Sequence, residues 1–149
     1  VWQSNWNLIM KYVDGKLFIT WQDVDYFSLE IAYAAKKENI KEVVGISRGG
    51  LIPGVIISNA LDVPFSSFVW QTRDGELKEP SKVFGYNDAK YLIVDDMVDS
   101  GKTMLDIMSL APKAKKAVIF NKREDIVLDI VGQELYNVEE WCVFPWETE

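Results

Sequence analysis

Between Tyr91 and Thr103 the chain reads Tyr-Leu-Ile-Val-Asp-Asp-Met-Val-Asp-Ser-Gly-Lys-Thr. An apolar run thus delivers two adjacent carboxylates, Asp95 and Asp96, and a helix then opens among Ser100, Gly101 and Thr103. Backbone N–H groups and hydroxyls at a helix start can wrap a phosphate at the positive end of the helix dipole. Carboxylates beside a phosphate nest make sense together when the ligand is a sugar phosphate. The nest holds the phosphate, while Asp95 and Asp96 take ribose hydroxyls or a bound Mg²⁺. Any one of these residues reads as a solvated carboxylate or, for Asp99 and Ser100, a helix cap; the thirteen-residue pattern as a whole does not. The glycine spacing that a Walker loop needs before Gly101-Lys102-Thr103 is missing, which excludes a nucleoside triphosphatase of that kind.

A second turn with chemistry in it follows Val43-Val44-Gly45-Ile46. Ser47-Arg48-Gly49-Gly50 offers hydroxyl and amide donors, a guanidinium, and backbone permissive enough to approach an anion closely. The chain has no histidine, which removes Ser-His-Asp and Cys-His nucleophiles, His-bearing zinc sites and the usual neutral-pH proton shuttle. Proton transfer falls to a carboxylate, a lysine, a tyrosine or the single thiol, Cys142. That lone cysteine forms no internal disulfide and no metal cage, and it suits a reducing compartment.

The elements that must hold these turns alternate along the chain. After an aromatic-rich lead with a turn at Asp14-Gly15, a helix is expected from Gln22 to about Asn39, with Val24, Phe27, Leu29, Ile31, Ala34 and Ala35 at helical spacing. Thr20 with Asp23 resembles a capping box at its start. Glu42 to Ile46 reads as a buried strand, Leu51 to Leu61 as an apolar helix with Pro53 in its first turn, and Val63 to Trp70 as a second strand. The 19 residues of 71–89 hold seven charged side chains, two glycines and a proline with no sustained period, which implies a disordered segment or a functional lid. A third strand is expected over Tyr91–Val94, a helix from about Ser100 to Leu110, and a fourth strand over Lys116–Phe120. A further strand is expected near Leu135, before the terminal cluster Trp141-Cys142-Val143-Phe144-Pro145-Trp146. Such alternation implies a three-layer α/β fold with a mostly parallel twisted sheet, whose ligands sit beyond the carboxyl ends of the strands.

At 149 residues and 48 % apolar content the chain has the size and core of a single domain over 1–149, with 1–16 as a lead and 121–149 as a tail. Its 23 acidic and 16 basic residues give a net charge of -7, which disfavours nucleic acid as a partner. No apolar run approaches the roughly 20 residues of a membrane span. A cytoplasmic setting is expected.

The thirteen-residue string is similar to the phosphoribosyl-diphosphate signature of type I phosphoribosyltransferases: an apolar run, two acidic residues, three more, then Ser/Thr-Gly-x-Thr. Val43 to Gly54 resembles the pyrophosphate loop of the xanthine-guanine branch of that family. The resemblance also takes in Asn121-Lys122 and Trp141-x-x-x-Pro145-Trp146, and runs from about Phe18 to Trp146. It implies the family's fold with a flexible hood loop, and a Mg²⁺-dependent enzyme of purine salvage. That enzyme transfers a phosphoribosyl group from phosphoribosyl diphosphate to N9 of guanine, xanthine or hypoxanthine, commonly as a dimer or tetramer.

By that resemblance, Asp95 and Asp96 hold the ribose hydroxyls, Asp96 also lies near Mg²⁺, and Asp99, Ser100, Gly101, Lys102 and Thr103 clasp the 5′-phosphate. Asp99 lies near N7 of the base and is the candidate for general acid/base work; in a histidine-free chain a carboxylate is the natural acceptor. Ser47, Arg48, Gly49 and Gly50 meet pyrophosphate, with a non-proline cis peptide at Ser47–Arg48. Lys122 donates to O6 of the purine, Trp141 stacks on it, and the backbone of Cys142 meets the edge carrying the 2-substituent. The loop over 71–89 departs from the family's pattern, since Gly75 stands directly before Glu76-Leu77-Lys78 where a basic residue is usual, and Arg73 is the substitute in reach. Two other readings stay open: a phosphoribosyltransferase for another base, and a non-catalytic regulatory protein that binds phosphoribosyl diphosphate.

Overall fold

The computed structural model describes residues 10–70 and 79–147. In chain order the elements are β1 (Lys11–Val13), β2 (Lys16–Phe18), α1 (Trp21–Ala35), β3 (Glu42–Ser47), α2 (Leu51–Leu61), β4 (Phe65–Val69), α3 (Pro80–Phe84), β5 (Tyr91–Val98), α4 (Lys102–Leu110), β6 (Lys115–Asn121), β7 (Ile130–Glu134) and β8 (Trp141–Val143). Five strands form one parallel sheet in the order β4-β3-β5-β6-β7. Residues Val43 to Ile46 of β3 are all buried, as a strand covered on both faces requires. On one face Val43, Leu92, Val94 and Ile119 pack under Phe27 and Ile31 of α1 and Ile57 of α2. On the other, Val44, Ile46, Ile93 and Val118 pack with Met104 and Ile107 of α4. The three-layer α/β expectation holds.

Thr20 does cap α1. Its hydroxyl oxygen accepts from Asp23 N at 3.1 Å while its own N–H donates to Asp23 Oδ2 at 2.8 Å, so an aspartate closes the box where Glu or Gln is usual. The helix stops at Ala35, short of the expected Asn39, because a 3₁₀ turn over Lys36–Glu38 tightens the end and Asn39 turns left-handed at φ 56°. Leu29, one of the apolar residues at helical spacing, is exposed.

Two further expectations are corrected. β5 runs on to Val98 where Val94 was expected, since β6 supplies ladder partners as far as Val98↔Asn121; Asp95 and Asp96 therefore lie inside the strand rather than after it. Within 71–89, residues 71–78 with Arg73 and Gly75 lie outside the described residues, and Pro80–Phe84 is a short helix with Val83 buried in the core. The described end of the lead, residues 10–16, enters a second sheet. β1 and β2 form a hairpin around Asp14 (φ 50°) and Gly15 (φ 75°), two successive left-handed residues that match a primed turn, and β2 pairs in parallel with β8 of the tail. β1, β2 and β8 make one three-stranded sheet whose Leu17 and Cys142, with Phe144 just past β8, join the main core. Among the described residues no helix is long and apolar enough to cross a membrane.

From β3 the chain passes through α2 to β4 on one side, then returns to β5 on the other. The carboxyl ends of β3 and β5 thus flank a topological switch point, where open α/β sheets bind ligands.

Candidate functional site

Both glycine-rich turns meet at that crevice. The Ser47–Arg48 peptide is cis. Beyond it the loop folds back on β3, with Gly50 N donating to Ile46 O at 2.8 Å and Leu51 N to Arg48 O at 3.0 Å. Gly50 is pressed so closely between β3 and β5 that a Cβ there would lie 2.8 Å from Ile46 N and overlap the Val94 carbonyl. At Gly49 a Cβ would lie 2.5 Å from Asp96 Cγ and 2.8 Å from its Oδ1. The backbone of the first loop is therefore seated directly on the carboxylate of the second motif.

The main-chain N–H of Asp96 donates to Asp95 Oδ1 at 2.9 Å, which orients the Asp95 carboxylate. Burial pushes the Asp95 carboxyl well above the ordinary carboxylate range, and the neighbouring Asp96 charge pushes it further. Burial also raises Asp96, with the charge of Glu147 adding to it. Two adjacent hard oxygen donors suit a divalent ion. Among the described residues, however, no cluster of three or more metal-ligating side chains exists. A Mg²⁺ here would complete its octahedron with water and ligand oxygens, the usual arrangement for that ion.

Next to Asp95 lies a cavity of about 140 Å³ walled by Asp99, Ser100, Gly101 and Thr103. Helix α4 opens on Gly101 at φ +87° and begins at Lys102, so neither Asp99 nor Ser100 is its cap residue; the Ser100 hydroxyl accepts only a long 3.3 Å bond from Lys102 N. The first N–H groups of α4 are thus left for a ligand. Asp99 and Lys102 are exposed at the mouth. A second cavity of about 200 Å³ shares Asp95 and Thr103 and reaches Ser47 and Trp70. A third, about 780 Å³, lies between Arg48, Gly49 and Asp96 on one side and Trp141, Trp146 and Glu147 on the other.

Lys122 reaches both sides of the crevice. Its N–H donates to Val98 O at 3.0 Å and its amine to Glu140 O at 2.7 Å, beside Trp141. Trp141 is 60 % exposed and available for stacking, whereas Cys142 is buried, its thiol pushed up by burial and its backbone in the β2–β8 pairing. The crevice therefore gathers Ser47 to Gly50, Asp95, Asp96, Asp99 to Thr103 and Trp141, with Lys122 tied to its rim. Sequence reasoning missed Trp70 and Glu147 as lining residues and placed Trp146 only within a tail pattern. Trp70 sits just past the end of β4, the one positional signal that pointed to it.

The sequence profile described as phosphoribosyl transferase domain matches residues 22–148. A xanthine-guanine phosphoribosyltransferase of Desulfotalea psychrophila is 30 % identical over 138 residues, covering 88 % of this chain and 86 % of that protein. One from Cereibacter sphaeroides is 34 % identical over 120 residues, covering 72 % and 69 % respectively. Among solved structures, the purine phosphoribosyltransferase of Pyrococcus horikoshii aligns with a TM-score of 0.68 at 28 % identity, covering 91 % of this chain and 96 % of that one. With its paired acids and its two glycine-rich turns converging on one switch-point crevice, this chain belongs to the phosphoribosyl transferase domain family.

Proposed function

We propose that the protein transfers the 5-phosphoribosyl group of phosphoribosyl diphosphate to N9 of a 6-oxopurine, releasing pyrophosphate. The observation that carries the reading is the seating of Gly49 on Asp96. It puts the anion-binding loop after β3 against the acidic pair of β5, so that a diphosphate leaving C1′ of a ribose held at Asp95 and Asp96 departs over the amides of residues 47–50. The names of the relatives support the choice of a purine as acceptor.

In this reading the amides of Asp99 to Thr103 and the Ser100 and Thr103 hydroxyls take the 5′-phosphate, and Asp95 and Asp96 accept hydrogen bonds from the ribose hydroxyls. Asp96 would hold Mg²⁺, which when bound would supply positive charge against the ribose and diphosphate oxygens. Trp141 stacks on the purine, and Lys122, whose amine has donors beyond the one given to Glu140 O, turns one to O6. As the C1′–O bond breaks and the C1′–N9 bond forms, Asp99 accepts the proton leaving N7. Positioning and electrostatics carry most of the rate. The test is pyrophosphate release with Mg²⁺ and guanine, xanthine, hypoxanthine or adenine in parallel. Turnover with 6-oxopurines and little with adenine is expected, and no turnover with any base refutes the reading.

A further inference from the structure

One contact ties the phosphate cradle to the connection between β6 and β7. Arg123 Nη1 donates to the Ser100 carbonyl at 2.6 Å, while its Nε and Nη2 hold Asp125 in a two-pronged pair at 2.8 and 2.6 Å. The connection is itself rigidly built. Arg123 N donates to Asn121 Oδ1 at 2.9 Å, Asn121 Nδ2 to Ile126 O at 2.9 Å, and Ile126 is buried where any side chain on Gly101 would strike it. The Ser100–Gly101 peptide is trans, so its C=O and N–H point in opposite directions. A carbonyl pinned outward on Arg123 turns the Gly101 N–H away from Arg123, and Gly101 is a wall of the 140 Å³ cavity.

We propose that Arg123 is a positioning residue for the phosphate cradle: it fixes the Ser100–Gly101 peptide with its N–H toward the 5′-phosphate, and Asp125 holds Arg123 in that pose. The proposal rests on the reading of the cradle as the 5′-phosphate site. It differs from simple charge attraction in a sign. Asp125 brings a negative charge to the neighbourhood of a dianion, so by Coulomb's law alone its removal tightens substrate binding; as the prop of Arg123, its removal loosens it.

Steady-state kinetics of the full chain separate the two. Arg123→Met is expected to raise KM for phosphoribosyl diphosphate about tenfold, the worth of one charge-assisted hydrogen bond, with kcat and the KM of the base within about twofold. Asp125→Ala is expected to raise the same KM several-fold, and the double variant to be no worse than Arg123→Met alone, because Asp125 acts only through Arg123. Arg123→Lys, which can reach the carbonyl or Asp125 but not grip both, falls between. Titration of the Gly101 amide resonance with inorganic phosphate, weaker in Arg123→Met than in the parent, gives the same answer without turnover. A lowered KM in Asp125→Ala, an unchanged KM in Arg123→Met, or additive effects overturn the proposal while leaving the enzymatic reading intact. A parent protein that neither turns over nor binds phosphoribosyl diphosphate overturns that reading, and this one with it.

Discussion

Replacing Gly49 by Ala adds one methyl group at the point where the two loops touch. Gly49 is not among the residues at positive φ, so the backbone accepts alanine without strain and the effect is confined to contact. The new Cβ stands 2.5 Å from Asp96 Cγ where ordinary contact begins at 3.4 Å, so the loop or the carboxylate retreats by nearly an ångström. Either movement separates the amides proposed to meet the diphosphate from the acid proposed to face the ribose, and a misplacement of about 1 Å costs on the order of a hundredfold in rate. The expected outcome is a hundredfold loss in kcat/KM for pyrophosphate release, with Tm within about 3 °C of the parent since the site lies outside the core. Gly50→Ala is the companion measurement. Its Cβ meets Ile46 backbone at 2.8 and 2.9 Å and overlaps Val94 O, atoms that move only if the β3–β5 ladder opens, so it loses about 1–3 kcal/mol of stability as well. A Gly49→Ala enzyme with kcat/KM within threefold of the parent refutes the claim that this contact registers the site.

Asp96→Asn tests the cost of the half-buried acid pair. Because the folded state raises this carboxyl, it binds more protons than the unfolded chain, and stability falls as pH rises from the ordinary carboxylate value near 4 through the raised one. The variant is therefore expected to melt a few degrees higher at pH 7, with the gain vanishing as pH falls toward 4 and with Mg²⁺-dependent turnover largely lost; a lower Tm at pH 7 contradicts this. Asp99→Asn is expected to lower kcat at least a hundredfold while KM for either substrate changes less than threefold, and an unchanged kcat rejects Asp99 as proton acceptor. Lys122→Met is expected to raise KM for guanine tenfold or more and to narrow the preference over adenine, read by competition between the two bases; an unaltered preference removes Lys122 from base selection.

Elements whose ends are marked by their own residues were legible. Leu51–Leu61 begins after Gly49-Gly50 and ends where Asp62 turns left-handed, and sequence and structure agree on it to the residue. β5 was read short because its apolar character stops at Val94; what extends it is the ladder from β6, a partner whose register no local pattern reveals. The small sheet was invisible for the same reason, since three-residue strands at 16–18 and 141–143 carry no period and pair only through the folded core. At the site, the turns were readable because glycine, aspartate, serine and threonine announce anion and hydroxyl chemistry by type. The seating of Gly49 on Asp96 was not, for it depends on an absent Cβ meeting a side chain from another strand. Nor was the Arg123–Ser100 bond, which joins two turns 23 residues apart that no local pattern connects.

The parallel pairing of β2 with β8 also sets an order in time. A ribosome delivers the β1–β2 hairpin among the first residues of this stretch and Trp141–Val143 among the last, so Leu17 waits for Cys142 and Phe144 until nearly everything between them has been made. The proposed phosphate cradle, built from β5, α4 and the connection after β6, lies wholly upstream of Trp141 in the chain. In chain order the proposed phosphate cradle therefore precedes the strand that carries Trp141, and the closing of the small sheet is the event that brings the first described strands and the last together.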